Sequence, residues 1–313
     1  MYAWRNILHQ ARSCRDRAAG EARLLRAKAG VGPGPRVLGR RAGNRRIAER
    51  LRSGAPAMIS RLGFSERRCV TWFLRERGAG RDYPAQLLRE VRNSAGIFPA
   101  EAGVLDRFSR VFLERAREAD VMGTWLAENE SEFLREHCAD AVVCDWRALE
   151  PYYSAEPWSA ALAGRRVLVV HPFDRTIRRQ YAERRTALFR DPAVLPEFEL
   201  VTLRPVLSGF GCTPDFPDWF AALDHMEAAI ARERFDVALI GAGSYGLPLA
   251  AFVKRLGRQA VHVGGAAQLL FGIRGRRWDH YPPMARRYNG HWVRPSPEET
   301  PAGAATVEGG CYW

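Results

Sequence analysis

The run from Phe235 to Trp278 opens on four consecutive apolar residues, Val237-Ala238-Leu239-Ile240, and turns at once through Gly241-Ala242-Gly243. So short a run cannot span a membrane, and without alternation it reads as a strand buried on both faces of a parallel sheet. The spacing of Leu249, Phe252, Val253 and Leu256 predicts a helix, with Pro248 in its first turn and Gly257 at a left-handed end. Gln259 to Val263 then reads as a second short strand, Gly264-Gly265 as a turn, and Ala266 to Phe271 as the start of another helix. This βαβα unit predicts an α/β fold, a Rossmann-like and mostly parallel sheet flanked by helices. Right-handed crossovers carry both glycine turns to the carboxyl edge of that sheet, where open α/β folds bind ligands.

Gly241, Gly243 and Gly246 spell G-x-G-x-x-G. Such a turn lets the backbone approach a pyrophosphate and aims amides at it, here those of Gly243, Ser244 and Tyr245. A dinucleotide site also needs an acid about twenty residues on to hold the ribose. The segment from Val253 to Arg277 contains none, so neither NAD nor FAD is expected. A nucleoside diphosphate of another kind and a merely tight structural turn both stay open.

Two more strand ends fall at the same edge. Ala57 to Leu62 has strand character and leads through Gly63 to Glu66 at a helix start; Arg165 to Val170 ends in His171-Pro172-Phe173. Glu66 either meets a sugar hydroxyl or a metal, or caps its helix. His171 is either a phosphate or hydroxyl contact or a general acid/base, or it closes the strand end. Leu200 to Leu203 reads as a further strand, and Trp219, Leu223, Met226 and Ile230 step along an amphipathic helix that packs on the sheet. Between Thr71 and Pro151 the pattern is mostly helical, with a strand around Ala119 to Met122; Trp125 and Trp146 read as packing residues and His137 as solvent-facing.

Charge divides the chain. The first 52 residues carry 14 Arg and Lys against three acids, a net of +11 within a total of +13. The expected organisation is therefore a basic, partly helical or disordered arm over 1–54, an α/β domain over 55–290 and a disordered tail over 291–313 rich in Pro, Glu, Gly and Thr. In the arm, Trp4, Ile7, Leu8, Ala11, Leu24 and Leu25 read as one side of interrupted helices, and Gly30 to Gly34 with Pro35 break the chain. Anionic lipid headgroups, nucleic acid or solvent alone could face this arm; no recognised nucleic-acid motif accompanies it, so no specific nucleic acid is expected. Six cysteines without a C-x-x-C pair read as reduced thiols of a cytoplasmic protein, peripheral at the inner face of a membrane if the arm binds lipid.

The order of these motifs resembles the GT-D glycosyltransferase domain family, first catalogued as a domain of unknown function. Arg61-Leu62-Gly63-Phe64-Ser65-Glu66 is similar to the family's R-F-G-D-G-E motif, and Ala238 to Gly243, Leu249 to Gly257 and Gln259 to Gly265 match its C-terminal half. Val169 to Phe173 and the G-G-x-x-Q-x-x-F-G-I-x-G-x-R-W run from Gly264 to Trp278 are similar to the extended versions found near polysaccharide gene clusters. The resemblance implies a transferase that moves a sugar from a nucleotide-sugar donor to a glycan or lipid-linked acceptor. It marks Glu66 and His171 as catalytic candidates, and Arg61, Gly63, Gly241, Gly243, Ser244, Tyr245, His262, Gly264, Gly265, Gln268 and Arg276 as substrate-binding ones, with Arg274 and Arg277 as further cations. In the family a D-x-E motif is associated with Mn or Mg; here Phe64 replaces the aspartate and only Glu66 is left as a metal ligand. That loss leaves open a metal-independent enzyme or a non-catalytic nucleotide- or glycan-binding protein.

Overall fold

The computed structural model describes residues 19–28, 35–127 and 129–313. Residues 19–28 are helical, and α1 (Arg40–Arg52) leads into β1 (Ala57–Arg61). There follow α2 (Phe64–Glu76), α3 (Ala85–Glu90), α4 (Ala102–Ala116), β2 (Val121–Thr124), α5 (Glu130–His137) and β3 (Val142–Asp145). After a run of 3-10 turns come β4 (Arg166–Val170), α6 (Asp174–Leu188), β5 (Glu199–Leu203), α7 (Trp219–Arg232), β6 (Val237–Ile240), α8 (Gly246–Arg255), β7 (Gln259–His262) and the short α9 (Ala267–Leu270).

The seven strands form one sheet in the order β3-β2-β1-β7-β6-β4-β5, and every pairing is parallel. This is the fold class the apolar runs predicted. Pleating sends alternate side chains to opposite faces. Met58, Met122, Leu168, Val170, Ala238 and Ile240 pack under α2, α4, α7 and α8, while Ile59, Val121, Val167, Val169, Leu239 and Val261 pack under α1, α6 and α9. The sheet thus separates two apolar cores.

Crevices open at the carboxyl edge wherever neighbouring strands send their chains to opposite faces. β4 passes to α6 on one side and β6 to α8 on the other; β1 passes to α2 and its neighbour β7 to α9 in the same opposed manner. Such switch points are where open α/β sheets take ligands.

Both proposed boundaries shift. The body begins no later than Val37, since Leu38 pairs with the edge of β3, its amide on Val143 and its carbonyl taking Asp145, each at 2.9 Å. The arginine-rich composition of α1 conceals an amphipathic helix: Gly43, Asn44, Ile47, Ala48 and Leu51 are buried while Arg41, Arg45, Arg46 and Arg52 stay exposed. Of the expected apolar stripe, Trp4, Ile7, Leu8 and Ala11 lie outside the described residues, as does the break at Gly30 to Gly34; Leu24 is buried in the core and Leu25 exposed, so those two do not share a side. The tail over 291–313, expected to be disordered, packs on the body. Glu299 is buried, and its carboxylate accepts the amides of Arg175 (2.8 Å) and Thr176 (3.2 Å) in the first turn of α6, so an acid counted as disorder-promoting serves as a helix cap. No helix of the described residues is long and apolar enough to cross a membrane.

The packed α1 makes a checkable difference. Ile47→Ala, which opens a hole in a fully buried position, is expected to cost about 2–5 kcal/mol in urea denaturation. Arg45→Ala, on the exposed side, should stay within about 0.5 kcal/mol; equal and negligible effects would return α1 to the status of a loose leader.

Candidate active site

Five strand-end features meet at the carboxyl rim. A Cβ added to Gly241 would lie 2.6 Å from the His171 ring, 2.8 Å from the Gly264 carbonyl and 3.3 Å from Ala267. The turns after β4, β6 and β7 are therefore in contact, and only glycine fits between them. Gly264 has φ +70°, a conformation costly for other residues, and its bare face is turned to the Arg61 guanidinium at 3.4 Å. At Gly63 any side chain would collide with the Glu66 carboxylate, which folds back over the turn from the first turn of α2. Glu66, Arg61, Gly264, Gly241 and His171 form one contiguous line.

Arg61 is the charge at the centre. It is half-buried at the end of β1 with Trp125 stacked 4.2 Å from its guanidinium, and the loss of solvent there holds its pKa below the ordinary range despite the nearby Tyr312, Glu150 and Glu66. Burial likewise raises the Glu66 carboxyl, against the pull of its own backbone amide and of Arg61. Two further acids, unremarked in the sequence, share the neighbourhood. Burial raises Glu130, whose carboxylate accepts the Ala127 amide at 2.8 Å and lies near Arg67. Burial lifts Glu150 to about 7, against Tyr152, Arg61 and Arg147. Glu150 follows β3 just as Glu66 follows β1, so its position past a strand end was the available signal.

Several candidate side chains along and behind this line are held by partners of their own. His171 is buried and its Nδ1 accepts the Phe173 amide at 3.1 Å, which leaves Nε2 as the protonated nitrogen. His262 bonds Ser60 Oγ through Nδ1 at 2.9 Å, and its Nε2 abuts Gly246, so it wedges β1 and β7 against the start of α8. The Ser244 hydroxyl accepts the Trp219 indole N–H at 2.9 Å; Tyr245 stacks on the same Trp219, rings 5.0 Å apart, with its hydroxyl 2.9 Å from Ser208 Oγ. Both side chains belong to the core, and the Tyr245 amide already donates to the Ala242 carbonyl at 3.2 Å. What Gly243, at φ +54°, Ser244 and Tyr245 contribute to the rim is the shape of one 3-10 turn.

The Gly264 to Trp278 segment mostly holds chain. Gln268, fully buried, donates to the carbonyls of Ile273 (3.2 Å) and Tyr312 (3.0 Å). Arg276 reaches the Gly309 carbonyl at 2.9 Å and Arg274 sits 3.7 Å from Asp279, so neither faces the line. Arg277, which carries Tyr312, Cys311 and Glu308, is the one of the three arginines that acts electrostatically on Arg61. Gly265 is covered by Tyr312, whose ring occupies the place a side chain would take. For a metal, no group of three or more His, Cys, Asp or Glu converges among the described residues. Glu66 beside a guanidinium does not make a protein-built centre, and the chemistry below takes no step through an ion.

No protein-family model matches the chain, and the search of curated proteins returns no match. Among solved structures, the chain is similar to one of the highly conserved domain of unknown function 1792, described as having a distinct glycosyltransferase fold, at 12% identity and TM-score 0.42, over 82% of this chain and 95% of that one. A selenomethionine-substituted structure of the same domain gives 11% identity and TM-score 0.37, over 82% and 96%.

The two histidines predict an acid-sensitive core. Burial holds His171 and His262 at about 3, Arg61 adding to the effect at His262, against 6.5 for an exposed ring. The unfolded chain gains these protons below pH 6.5 and the folded chain only near 3, so stability falls across that window as pH drops, by at most about 1.4 kcal/mol per pH unit for each ring. Glu150, raised from 4.5 to about 7, acts in the opposite sense between those values. Urea midpoints at pH 6 and pH 4 should therefore differ less in His262→Asn than in the unaltered chain; an identical difference would place His262 in water.

Proposed function

We propose that this rim is the active site of a glycosyltransferase that takes a sugar from a nucleotide-sugar donor and places it on a glycan or glycoconjugate acceptor of polysaccharide biosynthesis. The observation that supports it best is the line from Glu66 through Arg61, Gly264 and Gly241 to His171 across the switch-point crevices. Loss of a nucleoside diphosphate needs a preorganised positive group where negative charge develops. Arg61, half-buried and stacked on Trp125, is that group, with Arg277 behind it. The bare backbones at Gly241 and Gly264 admit a diphosphate at close range.

The reaction then divides among side chains. The acceptor oxygen attacks the anomeric carbon, the bond from that carbon to the diphosphate breaks, and the diphosphate leaves with the electron pair. The acceptor proton passes to a carboxylate. Glu150, poised near neutrality beside Arg61, suits that task, because proton transfer is most efficient when the pKa matches the working pH. Glu66 orients a sugar hydroxyl, and His171 donates through Nε2. One observation favours a non-catalytic nucleotide- or glycan-binding protein instead: Phe64, where the resembled motif has its aspartate, is 52% exposed.

Thermal shifts with UDP, GDP, CMP and NAD, each with and without manganese, test the donor class; stabilisation by NAD alone would sink the transferase reading. Given a donor, Glu66→Gln should lower transfer by about 100-fold or more with the melting temperature held, and unchanged turnover would remove Glu66 from the site. The exposed Arg41, Arg45 and Arg46 on α1 extend the reading to an anionic membrane surface at the cytoplasmic face. Reversing all three to Glu should reduce cosedimentation with phosphatidylserine vesicles, whereas undiminished binding would discard the membrane contact.

A further inference from the structure

The rim is covered by a segment of the chain itself. Residues 303–313 cross it from the loop after β5 to the turn after β7. At Gly303 the backbone passes so close to the Phe210 carbonyl that no side chain fits. Glu308, Gly309 and Gly310 then take successive positive φ angles of 46°, 65° and 83°, a bend after which Cys311, Tyr312 and Trp313 lie along the candidate site. The Tyr312 ring rests on the bare backbone of Gly265, its hydroxyl accepts from Arg277 Nη1 at 3.2 Å, and it is the first of the groups that act on the Arg61 charge. Trp313 sits edge-on to Phe173, two residues past His171, at 5.6 Å and to Phe210 at 4.9 Å.

Polar bonds hold the segment down together with the buried Cys311 and the ring contacts of Tyr312 and Trp313. The Tyr312 carbonyl takes Gln268, the Cys311 and Trp313 carbonyls take the amides of Arg277 (3.0 Å) and Arg276 (3.2 Å), and the Trp313 indole donates to the Glu299 carbonyl at 3.0 Å. Glu308 pairs with Arg277 at 2.7 Å, an ion pair half open to water. Bonds of this kind are exchanged for water at small net loss, so the bend can open without unfolding the sheet.

We propose that residues 308–313 are a displaceable strap, and that a nucleoside diphosphate enters by exchanging with Tyr312: base for ring against Gly265, and phosphate for phenol on Arg277. This rests on the transferase reading for the identity of the ligand, but not for the closure. Tyr312 has Phe210 and Trp278 for ring neighbours, at 6.1 and 6.0 Å, and its phenol on the Arg277 guanidinium, a setting that complements a nucleotide and not a neutral sugar.

Isothermal titration of UDP and GDP into the full chain and into Tyr312→Ala decides it. The variant should bind about 10-fold more tightly, and Tyr312→Phe, which keeps the ring and loses the phenol contact, should fall between. Unchanged or weaker binding by Tyr312→Ala would overturn the strap, since Tyr312 would then be part of the bound site. If neither nucleotide binds either protein, the transferase reading falls, and amide hydrogen exchange judges the closure alone. Faster exchange over residues 264–270 in Tyr312→Ala, with the other strands unchanged, upholds it; exchange as in the unaltered chain refutes it.

Discussion

The pairing of β1 with β7 joins the beginning of the sheet to its end, and the rest of the molecule depends on that seam. Ala57, Met58 and Ile59 align with Gln259, Ala260 and Val261. A buried side chain bracket secures each end. At the amino edge Gln259 donates to the carbonyls of Arg50 and Ala55, both at 2.9 Å, and accepts Arg165 at 2.7 Å, so its amide is satisfied on both atoms. At the carboxyl edge the bond between Ser60 and His262 does the same work. A buried polar group left unpaired costs on the order of 1–3 kcal/mol, so these brackets penalise any slip of register. A shift by one residue would turn Arg61 to the other face and break the line from Glu66 to His171.

That line places charge where water is scarce. Burying a guanidinium is expensive, and single carboxylates brought near it do not recover the whole cost. Arg61 is tolerated because Trp125 lies against its face and because Glu66 and Glu150 lie near it. The arrangement fits a task better than it fits stability. A cation fixed in place before any ligand arrives needs no reorganisation when negative charge forms beside it, which is the condition for electrostatic catalysis.

Much of this was legible in the order of residues. Apolar runs such as Val237 to Ile240 and Val167 to Val170 announce strands buried on both faces, and the residue just past such a strand falls at the ligand edge by geometry alone. That is why Glu66, His171, Gly241 and Gly264 were found together. Local spacing does not reveal what a side chain meets from elsewhere. Ser244 and Tyr245 look like phosphate-turn residues until Trp219, on a different helix, claims both. Arginine content masked α1, whose burial depends on only five inward positions. Glu150 and Tyr312 gain meaning only from Arg61, which is 89 and 251 positions away in the chain.

The Glu299 cap carries a consequence for how the polypeptide is made. The first turn of α6 is finished by an acid that lies more than 120 residues downstream. While the ribosome has synthesised α6 but not yet residue 299, two amide donors beside His171 lack their native acceptor. A nascent chain would therefore hold its strands in register well before the mouth of the crevice is complete, and a stretch that emerges later than every strand would set both the helix terminus and the cover that lies over it.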